Sequence, residues 1–249
     1  PQVNLSESLA RVPGIVVQNR QNYAQDLQIS SRGFGARSSF GVRGLRLLVD
    51  GIPASMPDGQ GQVSHFDLGS AERIEVLRGP FSVMYGNAAG GVINVITESG
   101  ARGPGLGFDL SAGSNGTWRA ALRAGGLSEG LDWIGSGSYF ETDGYRDHST
   151  AQRSLVNGRL SYTTAGGTAV RLVGNALSSP AQDPLGLTRA QFEADPRGVA
   201  PPALLFDTRK KVRQAQGGVT LEHAFGGVLA QAAGYFGERK LRQYLAFAG

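Results

Sequence analysis

The rhythm of polar and apolar positions changes near residue 100. Before it, apolar residues come in short clusters cut by glycine-rich or polar loops. Leu5, Leu9 and Val12 share one face of a short helix that opens at Asn4-Leu-Ser-Glu7, a capping-box pattern, and is stopped by Pro13-Gly14. Strand-like pieces follow at 15–18, 27–31, 45–49, 73–77 and 92–97, with Asp50-Gly51 as a turn signal. Beyond Gly100-Ala-Arg-Gly-Pro104 strict alternation takes over. Trp118, Ala120, Leu122 and Ala124 oppose Thr117, Arg119, Ala121 and Arg123. Val156, Gly158, Leu160 and Tyr162 oppose Asn157, Arg159, Ser161 and Thr163, and the pattern recurs over 168–176. Each such run predicts a strand with one greasy face and one face of Arg, Asn or Thr; a less regular strand is expected over 131–141. The fold class expected is mainly β: a small α+β domain over 1–103, then antiparallel strands over 104–249.

Joins near 125–130, 165–167 and 225–227 are short, whereas those over 142–152 and 178–210 are long and polar; the short join at 114–116 departs from that scheme. Alternating short and long ends fit a membrane β-barrel, and alternation alone fits a soluble β-sandwich equally. Composition narrows little. The 38 glycines among 249 residues suit tight turns between strands. Mean hydropathy is −0.17, and no apolar run is long enough for a transmembrane helix, which leaves strands that hide their hydrophobicity by alternation. Cysteine is absent, so disulfides and thiolate metal sites are excluded. The net charge of +4 is spread and mixed with acids, which argues against nucleic acid as a partner. The three histidines lack metal-like spacing, and no phosphate or dinucleotide loop is complete. No enzyme activity is expected.

One stretch, Arg73-Ile-Glu-Val-Leu-Arg-Gly-Pro80 through Tyr85-Gly86 to Gly90-Gly-Val-Ile-Asn-Val-Ile-Thr97, holds no nucleophile, yet keeps a strand–turn–strand form. With Arg32-Gly33-Phe34, Gly41-Val-Arg-Gly44 and Leu48-Val-Asp-Gly-Ile-Pro53 it resembles the plug domain of TonB-dependent outer-membrane receptors, of the ferric siderophore and ferric dicitrate type. The resemblance implies a plug inside a barrel of the 22-stranded class, of which the chain would hold the plug and about seven or eight strands, a fragment of the whole. It also implies uptake of a ferric siderophore or other metal chelate across the Gram-negative outer membrane. Further implied partners are TonB, through a segment missing from this chain, and outer-membrane lipid. No cofactor is implied, iron arriving only inside its chelate. The alternatives are a passive porin or surface-binding barrel, or a receptor for a non-iron substrate such as cobalamin, another metal or a sugar.

Ligand is expected at the plug apices, loops on a rigid scaffold. Arg37 offers paired donors to an anionic chelate, or pairs instead with Asp58 or barrel acids; Ser38 and Ser39 add hydroxyls. Gly59-Gln60-Gly61-Gln62 resembles the apex of ferric dicitrate receptors, where two glutamines contact ligand; alternate residues of an extended segment point the same way. The sequence differs there in having Gly61 for proline and a loop one residue shorter. In the resembling family Arg and Glu at the positions of Glu75 and Arg78 join charged networks with the barrel, a lock that would hold the plug releasably; solvated strand residues are the alternative. Gly79, Gly86, Gly90 and Gly91 are expected to serve backbone geometry. In the long loop, Arg189, Arg197, Arg209 and Lys210 are further candidate donors.

Overall fold

A computed structural model describes residues 3–39, 41–56, 58–78, 85, 88–102 and 105–247. Helix α1 (Ser6–Leu9) buries Leu5 and Leu9. Its start differs from the expected capping box. The Asn4 side chain does not cap; instead the Glu7 carboxylate accepts from the backbone N–H groups of Val3 and Asn4 at 3.0 and 2.9 Å. Strands β1 (Ile15–Gln18) and β2 (Gln28–Ser31) pair antiparallel.

A four-stranded sheet then forms from β3 (Arg46–Val49), β4 (Ile52–Pro53), β5 (Ala71–Leu77) and β6 (Val92–Thr97) in the order β4-β3-β6-β5. Asp50 and Gly51, both at positive φ, close the β3–β4 hairpin, as the turn signal predicts. Asp50 is a structural carboxylate: it accepts from the Thr97 N–H at 3.0 Å and its hydroxyl at 2.6 Å, tying β3 to the end of β6. Strand β6 is the hub, parallel to β3 and antiparallel to β5. Gly91 opens it at φ +125°, where a Cβ would lie 2.4 Å from the Leu77 carbonyl, so only glycine lets β5 and β6 meet. Gly79 and Gly86 lie outside the described residues. Leu5, Leu9, Ile29, Val42, Leu45, Leu47, Phe66, Ile93 and Val95 form one core beneath this sheet.

The second unit is a seven-stranded antiparallel meander: β7 (Leu106–Ala112), β8 (Trp118–Ser128), β9 (Leu131–Thr142), β10 (Ala151–Thr163), β11 (Ala169–Gln182), β12 (Arg209–Phe225) and β13 (Val228–Tyr244). It curves as part of a barrel. The expected strands are present, several longer than the alternation showed. β8 continues to Ser128 because its ladder with β9 runs on through Gly125↔Ile134 and Gly126↔Trp133, where glycine carries no pattern to read. Connections 113–117, 143–150 and 183–208 lie at one end, and 129–130, 164–168 and 226–227 at the other. The longest is ordered. It carries α2 (Arg189–Ala194), with a capping box of Thr188 and Gln191, and α3 (Pro201–Leu205). Arg146 ties it down by donating to the carbonyls of Leu185, Pro184 and Gly198 at 2.6, 3.2 and 2.9 Å.

Register assigns the faces. Leu110↔Ala120, Ala120↔Tyr139 and Gly158↔Gly174 stack the greasy positions on one side, where Leu106, Phe108, Leu122, Val156 and Leu172 are exposed. Arg119, Arg123, Arg153 and Arg159 project from the other, concave side, over which the N-terminal unit sits. This division fits a membrane barrel and rules against the soluble sandwich, which would bury its greasy face. Val156→Arg, near mid-height of the greasy face, should cost about 2–4 kcal/mol of stability in a bilayer, and Gln152→Arg at its rim about 0–1 kcal/mol. Urea titration of the protein refolded in vesicles reads the difference; equal costs would contradict the face assignment.

Candidate functional site

The N-terminal unit is held mainly by polar contacts, beside two small apolar ones where Ala24 packs on Ala151 and Ala181 and Tyr23 on Phe140. Arg159 is buried, donates to the Thr97 carbonyl at 2.7 Å and pairs with Asp132 at 2.8 Å. Asp132 in turn accepts from the Ser99 hydroxyl at 2.9 Å and the Ala101 N–H at 3.2 Å. Arg123 pairs with Glu98 at 2.9 Å, and Ser136 donates to Asp67 at 2.5 Å. Nearer the long connections, Arg153 donates to the carbonyls of Val3 and Phe66. Lys210 pairs with Asp26 at 2.6 Å, and Asp183 accepts from Asn22 at 2.7 Å and from Gln25. Gln216 donates to the Pro53 carbonyl at 2.7 Å. Single members of such buried pairs are costly to remove, though the pairs themselves add little net stability.

The expected lock residues stand elsewhere. Glu75 is half-buried on β5 and accepts from Arg73 at 2.8 Å, while Arg78 donates to the Pro13 carbonyl. Among the described residues neither reaches the seven-stranded sheet; the contacts above use other side chains. Arg159 and Arg123 lay on the polar faces legible in the alternation, but which acids and carbonyls they meet depends on docking.

At the end that faces the long connections, the segments around Gly41 and Gln60 form an apex. Val42 and Gly61 exchange backbone hydrogen bonds at 2.9 and 2.7 Å. Gly41, at φ +62°, leaves room for both glutamine amides: a Cβ there would lie 2.9 Å from Gln62 Nε2, 3.1 Å from Gln60 Nε2 and 2.7 Å from the Gly61 carbonyl. Gln60 and Gln62 thus converge over one glycine but differ in exposure. Gln60 is half-buried and accepts from Arg43 at 3.1 Å; Gln62 is buried and donates to Asp26 at 3.4 Å. Arg37 is exposed, with no hydrogen-bonding or ionic partner among the described residues, and the Ser38 hydroxyl donates to the Gly41 carbonyl at 3.2 Å. Asp58 pairs with Arg43 at 3.1 Å and not with Arg37. Arg43, absent from the sequence-derived candidates, binds both Asp58 and Gln60, and its place in Gly41-Val-Arg-Gly44 was the available signal.

The remaining loop candidates also change roles. Lys210 points into the concavity against Asp26, Arg209 stacks 3.7 Å above the Tyr244 ring, Arg197 lies 5.2 Å from the Tyr145 ring, and Arg189 pairs with Glu193. A cleft of about 350 Å³ runs beside the apex, lined by Ser55, Met56, Gln62, Gln214, Tyr235 and Arg239. No cluster able to hold a bare metal ion occurs among the described residues.

Residues 1–92 match the family model described as the TonB-dependent receptor plug domain. Across that stretch the chain is similar to the plugs of TonB-dependent receptors. The chain is also 33% identical over 150 residues to the vitamin B12 transporter BtuB of Vibrio vulnificus, covering 57% of this chain and 23% of that protein. It is 33% identical over 162 residues to the ferric enterobactin receptor of Pseudomonas aeruginosa, covering 59% of this chain and 20% of that one. The crystal structure of the ferric citrate transporter FecA in its unliganded form superposes with a TM-score of 0.80 at 22% identity, covering 98% of this chain and 38% of that one; it shares the fold. The chain spans roughly a fifth to a quarter of the length of these curated relatives.

One buried group in the plug resists protonation. His65 is 2% exposed, packs edge-on against Phe66, and neither ring nitrogen has a partner among the described residues. Burial, with the charges of Arg239 and Arg153, lowers its pKa from 6.5 to about 3. The unfolded histidine therefore binds a proton between pH 6.5 and 3 that the docked plug refuses, so stability is intact above pH 6.5 and falls below it. The loss should reach about 2 kcal/mol by pH 5 and vanish in His65→Leu; plug hydrogen exchange in both proteins across that range checks it. Gly41→Ala should destabilise the apex by about 1–3 kcal/mol through its positive φ. It should also displace both glutamine amides, seen as faster exchange at residues 60–62 with the sheet unchanged.

Proposed function

We propose that this chain is the plug, over residues 1–103, and the first strands, over 104–249, of a TonB-dependent active transporter in the Gram-negative outer membrane. It takes up a ferric chelate. The observation that carries the ligand reading is the apex: Gln60 and Gln62 converge over Gly41, with Arg43 bonded to Gln60. Amide donors and guanidinium forks suit the carboxylate, hydroxamate or catecholate oxygens that wrap iron in such chelates. The cleft beside the apex gives that ligand a wall from Tyr235 and Arg239. The iron needs no site of its own, because the chelate supplies its ligands. The polar seat of the plug supports energy-driven release: its hydrogen bonds can be exchanged for water as the plug shifts, whereas an oily seat would resist wetting.

The similarity to a vitamin B12 transporter favours a second reading, in which cobalamin is the cargo. The test uses the full-length receptor in detergent with a panel of ferric siderophores, ferric dicitrate and cyanocobalamin, read by native mass spectrometry. One ferric chelate should bind, and the Gln60→Ala, Gln62→Ala double variant should weaken it about tenfold to a hundredfold, the worth of two or so hydrogen bonds. Cobalamin binding alone would replace the iron assignment. Uptake in cells that survives loss of TonB would make the barrel a passive porin.

A further inference from the structure

The outward face of the sheet carries a charge pattern that chelate uptake does not use. Across all seven strands, five Lys or Arg residues project from the greasy side: Arg209, Lys211 and Arg213 on β12, and Lys240 and Arg242 on β13. The outward positions of β7 through β11 carry none. Register sets Lys211 directly opposite Arg242 and Arg213 directly opposite Lys240, so the five form one continuous patch toward the end of the sheet that carries the long connections. Like charges set opposite each other destabilise a strand pair. Such a patch is therefore a cost that an external anion would offset.

Its height is set by the strand below it. From Ala215 to Phe225 the outward positions of β12 are Ala, Gly, Val, Leu, His and Phe. That run is about 33 Å along the strand, and about 25 Å along the membrane normal at barrel tilt, the height of an apolar band together with its boundary ring. Arg213 is the first residue past the band, on the side of the long connections, where an outer-membrane barrel meets the outer leaflet. His223 and Phe225, with rings 4.3 Å apart, mark the opposite boundary.

The patch also has shape. A cleft of about 570 Å³ crosses the rim from β9 to β13, lined by Glu141, Gln152, Gln182, Lys211, Arg242 and Tyr244 among others. It lies on the outward side, because the inward side there is filled: Ala151 and Ala181 pack on Ala24 of the plug. Two of the cations are partly neutralised within the protein, Arg209 by Asp207 and Lys240 by Glu238. Lys211, Arg213 and Arg242 have no acidic or hydrogen-bonding partner among the described residues.

We propose that this rim cleft binds a phosphorylated glycolipid of the outer leaflet. Lys211, Arg213 and Arg242 take its phosphates, and Gln152, Gln182 and Glu141 face its sugar hydroxyls. Its acyl chains run down the apolar face of β12. A lipid is the one occupant that supplies anion and acyl chain together at this height, and basic clusters at the edge of a spanning segment are a recurring means of holding anionic headgroups. The inference rests on the outer-membrane reading but not on the identity of the cargo.

The experiment extracts the full-length receptor from outer membranes in mild detergent. Native mass spectrometry counts retained glycolipid, and titration with bisphosphorylated lipid A, its dephosphorylated form and inorganic phosphate measures affinity. The triple variant Lys211→Gln, Arg213→Gln, Arg242→Gln should lose about a hundredfold, at roughly fivefold per cation. Ferric-chelate binding should stay unchanged, and Arg189→Gln on the long loop should have no effect. Dephosphorylated lipid A should bind wild type as weakly as intact lipid A binds the triple variant. Equal retention by wild type and triple variant would overturn the proposal. So would inorganic phosphate competing as well as lipid A, since the site would then be a simple anion patch. Glycolipid binding without binding of any ferric chelate would leave this site standing and remove the iron assignment.

Discussion

The architecture depends on a mainly polar interface between a unit folded around an apolar core and a sheet held by its antiparallel hydrogen-bond ladder. The Arg159–Asp132 pair is its centre: the guanidinium reaches the Thr97 carbonyl at the end of the plug's hub strand, and the carboxylate takes Ser99 and Ala101 just beyond it. That network sits where the chain leaves the plug and enters the sheet. An apolar seal of the same area would be more stable and harder to open, because wetting it exposes grease. Charged and hydrogen-bonded groups trade protein partners for water at small net cost. The plug can thus be rigid internally, around Leu47, Phe66 and Ile93, and still be weakly committed to its place.

The same logic organises the sheet's two faces. Alternate residues serve two different solvents: the outward positions meet hydrocarbon, and the inward ones meet the plug and its polar surroundings. Height adds a third division. Along β12 the outward face passes from Phe225 through small and branched apolar residues to Arg213, Lys211 and Arg209, while its inward face passes from Glu222 to Lys210 and Asp26's carboxylate. A single strand therefore records the inner boundary, the hydrocarbon, the outer boundary and the plug contact. His65 belongs to the interface as well. Burial, with the charges of Arg239 and Arg153, keeps it neutral, so the docked plug loses stability as the pH falls below 6.5.

The apex shows how a small backbone feature shapes chemistry. Gly41 has no side chain, and two glutamine amides occupy the room that a Cβ would take. Around them Arg43, Asp58 and Asp26 fix each amide by a separate partner, leaving Arg37 exposed at the surface.

What the chain alone determined was periodic or local. The alternation over 117–124, 156–163 and 168–176 placed strands and faces correctly because side-chain direction in a strand follows sequence parity, whatever the strand pairs with. Asp50-Gly51 closed its hairpin because positive φ is a property of those residues themselves. The ordered motifs of residues 14–97 announced a plug because together they specify one chain path. Tertiary structure decided the partners. Lys210 read as a loop cation and proved to be a buried link to Asp26, 184 positions earlier; Asp58 went to Arg43 rather than Arg37; and the contacts that seat the plug ran through Asp132, Asp67 and backbone carbonyls. A carbonyl acceptor leaves no trace in residue identity, and the pairing of two distant charges is set by how two finished surfaces meet. The outward basic patch is the clearest case. Its five residues look like scattered charges until antiparallel register lays them side by side at the edge of the hydrocarbon.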